Sequence, residues 1–201
     1  RGYTEGNLHF GCPSGTVPAK GKGAGMLRDP AKLEAFLDEF FSRTEGPVSV
    51  KTRLGVTRPE EFDAILDIYN RYPICELTIH PRVMRQLYRG EADRAAFAAC
   101  LPRCRMPVCY NGDITTPAQL AALEAEHPSL SGIMVGRGLI ADPALLRQAV
   151  GGAPVRKEEL RGYLDELYHG YTALFGASSC AVSRMKAHWH YLIYRFEGSE
   201  P

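Results

Sequence analysis

A thiol, an amine, an imidazole, an amide next to a carboxylate, and a guanidinium stand one after another at the ends of successive apolar runs in this chain. The thiol is Cys12, in Asn7-Leu-His-Phe-Gly-Cys-Pro-Ser14. Gly11 permits a tight exit from a strand, and Pro13 fixes the backbone after the thiol. Gly15, Gly21, Gly23 and Gly25 would give the next segment the freedom of a mobile loop. A thiol on a loop that closes over a pocket is a candidate proton donor or nucleophile, whereas a cysteine elsewhere is more often an apolar filler. Lys51 lies in Val48-Ser-Val-Lys-Thr-Arg53. An inward-pointing lysine there needs a carboxylate, a path to the rim, or the acceptor atoms of a cofactor. His80 closes Leu77-Thr-Ile-His80 and is either a hydrogen-bonded structural histidine or a site residue. Asn111-Gly112-Asp113 reads equally as a turn or as a polar site. Gly136-Arg137-Gly138, ahead of Asp142-Pro143, combines glycines that let backbone N–H groups approach an anion with an arginine fork that binds one.

These groups are positioned by one repeated phrase: a short apolar strand, a loop, a helix-start signal, and an amphipathic helix. Strands are expected at 4–8, 48–52, 77–80, 108–110 and 132–135. Helices are expected after Asp29-Pro30, after a Thr57/Glu60 capping pair, around 95–100, after the cap Thr116 with Pro117 behind it, and after Asp142-Pro143. Alternation of this kind makes a parallel α/β sheet, either doubly wound or closed into a barrel. Polar groups at the carboxyl end of every strand favour the barrel, and Gly136-Arg137-Gly138 lacks the dinucleotide-binding spacing of glycines. From Arg156 the pattern becomes helical, and Gly151-Gly-Ala-Pro154 reads as a linker. The expected division is a catalytic α/β part over 1–152 and a helical part over 153–201.

Composition narrows the classes further. A formal net charge of +1 gives no global case for nucleic acid, so RNA contact would have to come from local patches. No apolar run reaches the roughly 20 residues of a membrane span, and no signal peptide is evident, so a cytoplasmic protein is expected. The six cysteines lack a disulfide framework or zinc-ligand spacing and are read as reduced thiols, with no metal.

Together, Asn7–Ser14, Val-Ser-Val-Lys-Thr-Arg at 48–53, Leu-Thr-Ile-His-Pro-Arg at 77–82, Asn-Gly-Asp at 111–113 and Val-Gly-Arg-Gly at 135–138 resemble the tRNA-dihydrouridine synthases, in order and spacing. Arg184-Met-Lys-Ala-His188 is similar to the family's basic helix. Pro81 departs from the family pattern, which has a smaller residue after the histidine. The resemblance implies a flavin-dependent TIM (β/α)8 barrel with a C-terminal helical domain. About five strands of that barrel would fall within this chain, and three strand–helix units would precede Arg1. It also implies reduction of tRNA uridines to 5,6-dihydrouridine with FMN and NADPH, with Cys12 as proton donor. Lys51 and His80 would lie at the isoalloxazine ring, and Asn111, Gly112, Asp113, Gly136 and Arg137 along the ribityl-phosphate. The RNA would meet Arg53, Arg82, Arg184 and Lys186, with Lys20, Lys22, Arg85 and His188 as further rim candidates. Two other readings stay open: a different FMN-dependent barrel of the dihydroorotate or dihydropyrimidine dehydrogenase kind, and a non-catalytic RNA-binding half barrel.

Overall fold

Five short segments rich in β-branched and aromatic residues pair in parallel in the computed structural model, which describes residues 4–196. They are β1 (Gly6–Phe10), β2 (Val48–Arg53), β3 (Ile74–His80), β4 (Val108–Tyr110) and β5 (Gly132–Ile133). Each strand lies beside its neighbour in sequence, in the order β1-β2-β3-β4-β5. A doubly wound sheet reverses its strand order at a switch point, and this sheet has none; sequential parallel order is that of an α/β barrel, of which these strands form a part.

The strands are joined through α1 (Thr16–Ala19) and α2 (Pro30–Arg43), α3 (Phe62–Tyr69), α4 (Arg94–Cys100) and α5 (Pro117–Glu126). After β5 come α6 (Arg137–Ala141), α7 (Leu145–Ala149), α8 (Lys157–Phe175) and α9 (Ser178–Leu192). None of the described helices is long and apolar enough to cross a membrane. Internal contacts divide the chain into two units. The first runs to Gly112 and includes Ser129–Met134; the second comprises Asp113–Pro128 and resumes at Val135.

In the first unit the core lies between one face of the sheet and its helices. Phe10, Val48, Val50, Leu77, Ile79, Val108 and Tyr110 alternate along the strands and are buried. The Phe10 ring stacks on Tyr69 at 6.4 Å and meets Phe36 edge-on at 5.8 Å, and Phe97 meets Tyr110 edge-on at 4.9 Å. The Tyr69 hydroxyl, fully buried, donates to Thr52 Oγ1 (3.2 Å). In the second unit α8 ends at Gly176, whose φ of 67° turns the chain back into α9, and Leu160, Ala181, Met185 and Leu192 are buried.

Helix starts follow the sequence signals closely. Asp29 accepts from the Lys32 N–H, and Thr116 and Gln119 cap each other's backbone as a capping box. One cap differs. The carboxylate before α3 belongs to Glu61, not Glu60: it accepts from the N–H groups of Val56 (2.7 Å), Thr57 (3.1 Å) and Arg58 (3.1 Å) and from the Thr57 hydroxyl. A short 3-10 turn over Pro59–Glu61 precedes the helix and rotates Glu61 inward, a shift of one residue that sequence spacing does not register.

Three further expectations are corrected. β1 spans Gly6–Phe10 rather than 4–8 because its ladder partners are Val48–Thr52. β5 stops at Ile133 because the next carbonyl, that of Met134, is taken by the Asn111 side chain (2.7 Å). The glycine-rich segment after Cys12 folds into α1 and a 3-10 turn (Gly23–Arg28). Two of its glycines serve close packing: a Cβ on Gly25 would fall 2.5 Å from the Pro18 carbonyl oxygen, and one on Gly23 would fall 2.9 Å from Cys12 Cβ.

Removing the Glu61 carboxylate leaves several N–H groups without their acceptor. Glu61→Ala is expected to lower unfolding free energy by about 1–2 kcal/mol in urea titration, and Glu60→Ala by under about 0.5 kcal/mol.

Candidate functional site

The second face of the sheet carries the residues that alternate with the core set, and they are polar. Asn7 and His9 come from β1, Ser49, Lys51 and Arg53 from β2, Glu76, Thr78 and His80 from β3, and Cys109 from β4. His9, Lys51, Thr78 and Cys109 are register partners in one row across the sheet. Asn7 Nδ2 donates to Ser49 Oγ (2.8 Å), and Ser131 Oγ donates to Glu76 (2.8 Å).

At the carboxyl ends of the strands this face is organised by Arg53, only 1% exposed. Its Nε donates to the Gly11 carbonyl (3.0 Å) beside Cys12, and its Nη1 to the carbonyls of Val83 (3.0 Å) and Leu87 (2.7 Å) beyond β3. One guanidinium thus ties the loops after β1 and β3 to the end of β2. Its guanidinium carbon also lies 5.3 Å from the centroid of the Tyr88 ring.

Burial and the adjacent Arg53 hold the Lys51 amine down at about 8, far below a solvated lysine. Near neutral pH it remains mostly a cation, half-buried beside a second cation. His80 is the reverse case. Burial outweighs its hydrogen bond to Asn111, and with Arg53, Lys51 and Arg82 nearby its pKa falls to about 4, so the ring is neutral. Its Nδ1–H donates to the Asn111 carbonyl (2.6 Å), which fixes the tautomer and leaves Nε2 as an acceptor, 3.4 Å from Arg82 Nη1. His9 is also lowered, by burial and then by Lys51 and Arg53. The face therefore combines cations and neutral imidazoles, a setting for a ligand rich in acceptor atoms or negative charge.

Cys12 follows directly on the carbonyl that Arg53 holds, and its own carbonyl accepts from Ala24 N–H (3.0 Å), which closes the loop on itself. The thiol is partly exposed. Asn111 is engaged by its backbone with His80 and by its side chain with Met134, so it joins the ends of β3, β4 and β5. At Gly112 a Cβ would stand 2.7 Å from the Tyr110 hydroxyl. In the second unit Arg137 Nη2 donates to Asp113 Oδ1 (2.8 Å), both about one-third exposed. A Cβ on the neighbouring Gly138 would fall 2.0 Å from the Ile114 carbonyl oxygen, so α6 begins hard against the 113–115 backbone.

A sequence model of the family described as "Dihydrouridine synthase" matches residues 1–192. This chain belongs to the dihydrouridine synthase family. It is similar to "tRNA-dihydrouridine synthase B" of Pseudomonas putida, 31% identical over 143 residues, which are 71% of this chain and 42% of that protein. It is also similar to the "Probable tRNA-dihydrouridine synthase" of Rickettsia bellii, 33% identical over 71% of this chain and 44% of the other, and to "tRNA-dihydrouridine synthase B" of Escherichia coli K12, 29% identical over 79% and 46%. The chain spans just under half the length of these dihydrouridine synthases.

Among the residues expected at an RNA-facing rim, this family member exposes Lys20, Lys22, Arg85, Arg184 and Lys186. Arg53 and Arg82 are buried instead, at 1% and 2% exposure. Arg53 holds the three carbonyls above, and Arg82 Nη2 donates to the Gly90 carbonyl (2.5 Å). An arginine at a strand end looks alike in sequence whether it points to solvent or back over the loops. Tyr88 is absent from the residues expected at the site because it follows no periodic pattern.

Two measurements check these assignments. Arg53→Lys keeps the charge but not the fork across three carbonyls, and is expected to lower stability in chemical denaturation by about 2 kcal/mol or more. His80 binds its proton less readily folded than unfolded (about 4 against 6.5), so its contribution is fully present above pH 6.5 and is lost as pH falls towards 4. Denaturation at pH 7 and 4.5 should show wild type losing about 2 kcal/mol more than His80→Gln.

Proposed function

We propose that the protein reduces uridines in tRNA to 5,6-dihydrouridine, with FMN as the redox group and NADPH as the electron source. The observation that carries this reading is the polar sheet face, where a half-buried Lys51 cation, with its pKa held at about 8, stands among Arg53, neutral His80 and neutral His9. Family membership and the names of the relatives support the substrate class.

The residues suit the flavin. Lys51 offers a cation and donor to an acceptor-rich ring edge, and its cost of burial beside Arg53 falls when negative charge arrives. His80, locked as the Nδ1–H tautomer, stays neutral and adds no charge that would compete. In the second unit Arg137, oriented by Asp113, is the cation we assign to the phosphate, with Gly136 beside it. Asn111 and Gly112 shape the strand end by which the ribityl chain would run. When bound, FMN would accept hydride from NADPH and pass it to C6 of the uracil ring.

Cys12 then delivers a proton to C5, so that the C5=C6 bond gains a hydride and a proton in total. A general acid must carry its proton until that moment, and the Arg53-held Gly11 carbonyl fixes the loop from which the thiol reaches. The helices α8 and α9, with Arg184 and Lys186 exposed on α9, supply positive charge for the tRNA backbone.

Cys12→Ala should reduce dihydrouridine formation on unmodified tRNA, read as a gain of two hydrogens in nucleoside mass, by about 100-fold or more. Flavin reduction by NADPH should be unchanged. Undiminished uridine reduction by the variant, or activity on free pyrimidines that tRNA does not affect, would overturn the reading. Because the ligand favours protonated Lys51, FMN affinity should be highest below pH 8 and decline above it, and Lys51→Met should flatten that profile.

A further inference from the structure

Two thiols meet at the edge of the sheet opposite the candidate site. Helix α4 ends at Cys100, a 3-10 turn over Leu101–Arg103 follows, and Cys104 stands just before the chain enters β4, at the amino ends of the strands. Residues four apart on a helical turn share a face, and here the two sulfurs are in hydrogen-bond contact. Cys100 Sγ also donates to the Phe97 carbonyl (3.1 Å), and Cys104 Sγ to the Cys100 carbonyl (3.5 Å). The position of Cys104 is imposed from the end of α3. Asn70 Nδ2 donates to the Arg103 carbonyl (2.9 Å) and Asn70 Oδ1 accepts from the Arg105 N–H (3.0 Å), so the backbone is clamped on both sides of the thiol. Arg103 adds ion pairs to Asp63 and Asp67 of α3.

The two thiols are unlike. Cys100 is buried, at 6% exposure, whereas Cys104 is partly exposed. The hydrogen bond from Cys100 and, to a smaller extent, the Arg103 charge hold the Cys104 thiol below its ordinary value despite its burial. The same hydrogen bond, together with burial, pushes the Cys100 thiol up. A reachable sulfur that ionises readily is the one a peroxide attacks, and a second sulfur already in contact with it is placed to condense with the sulfenic acid that results. A bridge across so short a loop restricts the unfolded chain little, adds little stability, and stays open to thiol reductants. The pair therefore suits reversible oxidation better than a structural disulfide.

We propose that Cys100 and Cys104 are a reversible oxidation site for a peroxide, with Cys104 as the sulfur attacked and Cys100 as the sulfur that resolves it to a disulfide. With hydrogen peroxide, the Cys104 thiolate attacks one oxygen, the O–O bond breaks, and the released hydroxide takes up a proton as water, leaving Cys104 as a sulfenic acid. The Cys100 sulfur then attacks the Cys104 sulfur, the S–O bond breaks, and the hydroxyl leaves as water with the Cys100 proton. In sum, two thiols are oxidised to one disulfide and one peroxide is reduced to two waters. The site is separate from the proposed tRNA chemistry, which uses neither thiol, and stands or falls independently of it.

The test treats the reduced protein with a small excess of hydrogen peroxide, alkylates the remaining thiols in denaturant, and maps tryptic peptides by mass. Cleavage after Arg94, Arg103 and Arg105 separates the two sulfurs. Wild type should yield peptide 95–103 joined to peptide 104–105, two hydrogens lighter than their sum, and dithiothreitol should part them. With dimedone present during oxidation, Cys100→Ser should accumulate the sulfenic acid adduct on Cys104, which wild type should lose to the disulfide. In Cys104→Ser, Cys100 should remain an alkylatable thiol. Absence of the joined peptides from wild type, pairing of Cys104 with Cys12, Cys75 or Cys180 instead, equal dimedone labelling of Cys104 with and without Cys100, or oxidation of Cys100 in Cys104→Ser would overturn the assignment.

Discussion

The candidate site depends on one buried guanidinium. Arg53 leaves the end of β2 and, rather than turning to solvent, donates to carbonyls of the loops after β1 and β3. Burying a permanent charge is costly unless its hydrogen bonds are made, and here the carbonyls supply them. The residues those loops carry, Cys12 after β1 and Tyr88 after β3, are thus fixed relative to Lys51 and His80 by a single side chain. The same charge acts at a distance: together with burial it lowers the pKa of Lys51 and contributes to keeping His80 and His9 neutral.

The sheet divides structure from chemistry by its pleat. One face holds Val50, Leu77, Ile79 and Tyr110 against the helices; the other sets His9, Lys51, Thr78 and Cys109 in a single register row. With period-two alternation, a one-residue slip in any strand would exchange those roles, so the apolar packing that selects the register also aims the polar residues. Sequential parallel order places all five strand ends at the same edge of the sheet. That arrangement is how an α/β barrel gathers residues far apart in sequence into one site, and it fits the family to which the chain belongs.

Much of this is legible in the residues themselves. Periodicity locates every strand and the main helices, because the apolar positions that bury a face leave a regular trace. Asp29 and Thr116 are readable as caps because a cap is a local hydrogen bond. Glu61 lies one residue from the expected position because an intervening 3-10 turn changes the rotation per residue. Lys51 and His80 stand out as polar interruptions of apolar strands. Arg53 and Arg82 pass for rim charges in the sequence because their burial depends on loop carbonyls, those of Arg53 from segments 30 to 42 residues away and that of Arg82 from the following loop at Gly90, and no periodic pattern encodes that. The glycines after Cys12 suggest freedom, yet Gly23 and Gly25 are required by close packing against Cys12 and Pro18. Tyr88 gives no periodic signal, since its place beside Arg53 and His80 follows from the positive-φ corner at Leu87.

The polar face of the sheet, with Lys51 as its half-buried cation, is where we place the flavin. A lysine whose pKa is about 8 is unusually nucleophilic at that pH, so an amine-reactive reagent followed by peptide mass spectrometry reads its accessibility directly. With saturating FMN, labelling of Lys51 should fall sharply while exposed Lys32 and Lys157 react as before. Equal labelling of Lys51 with and without bound FMN would contradict that placement.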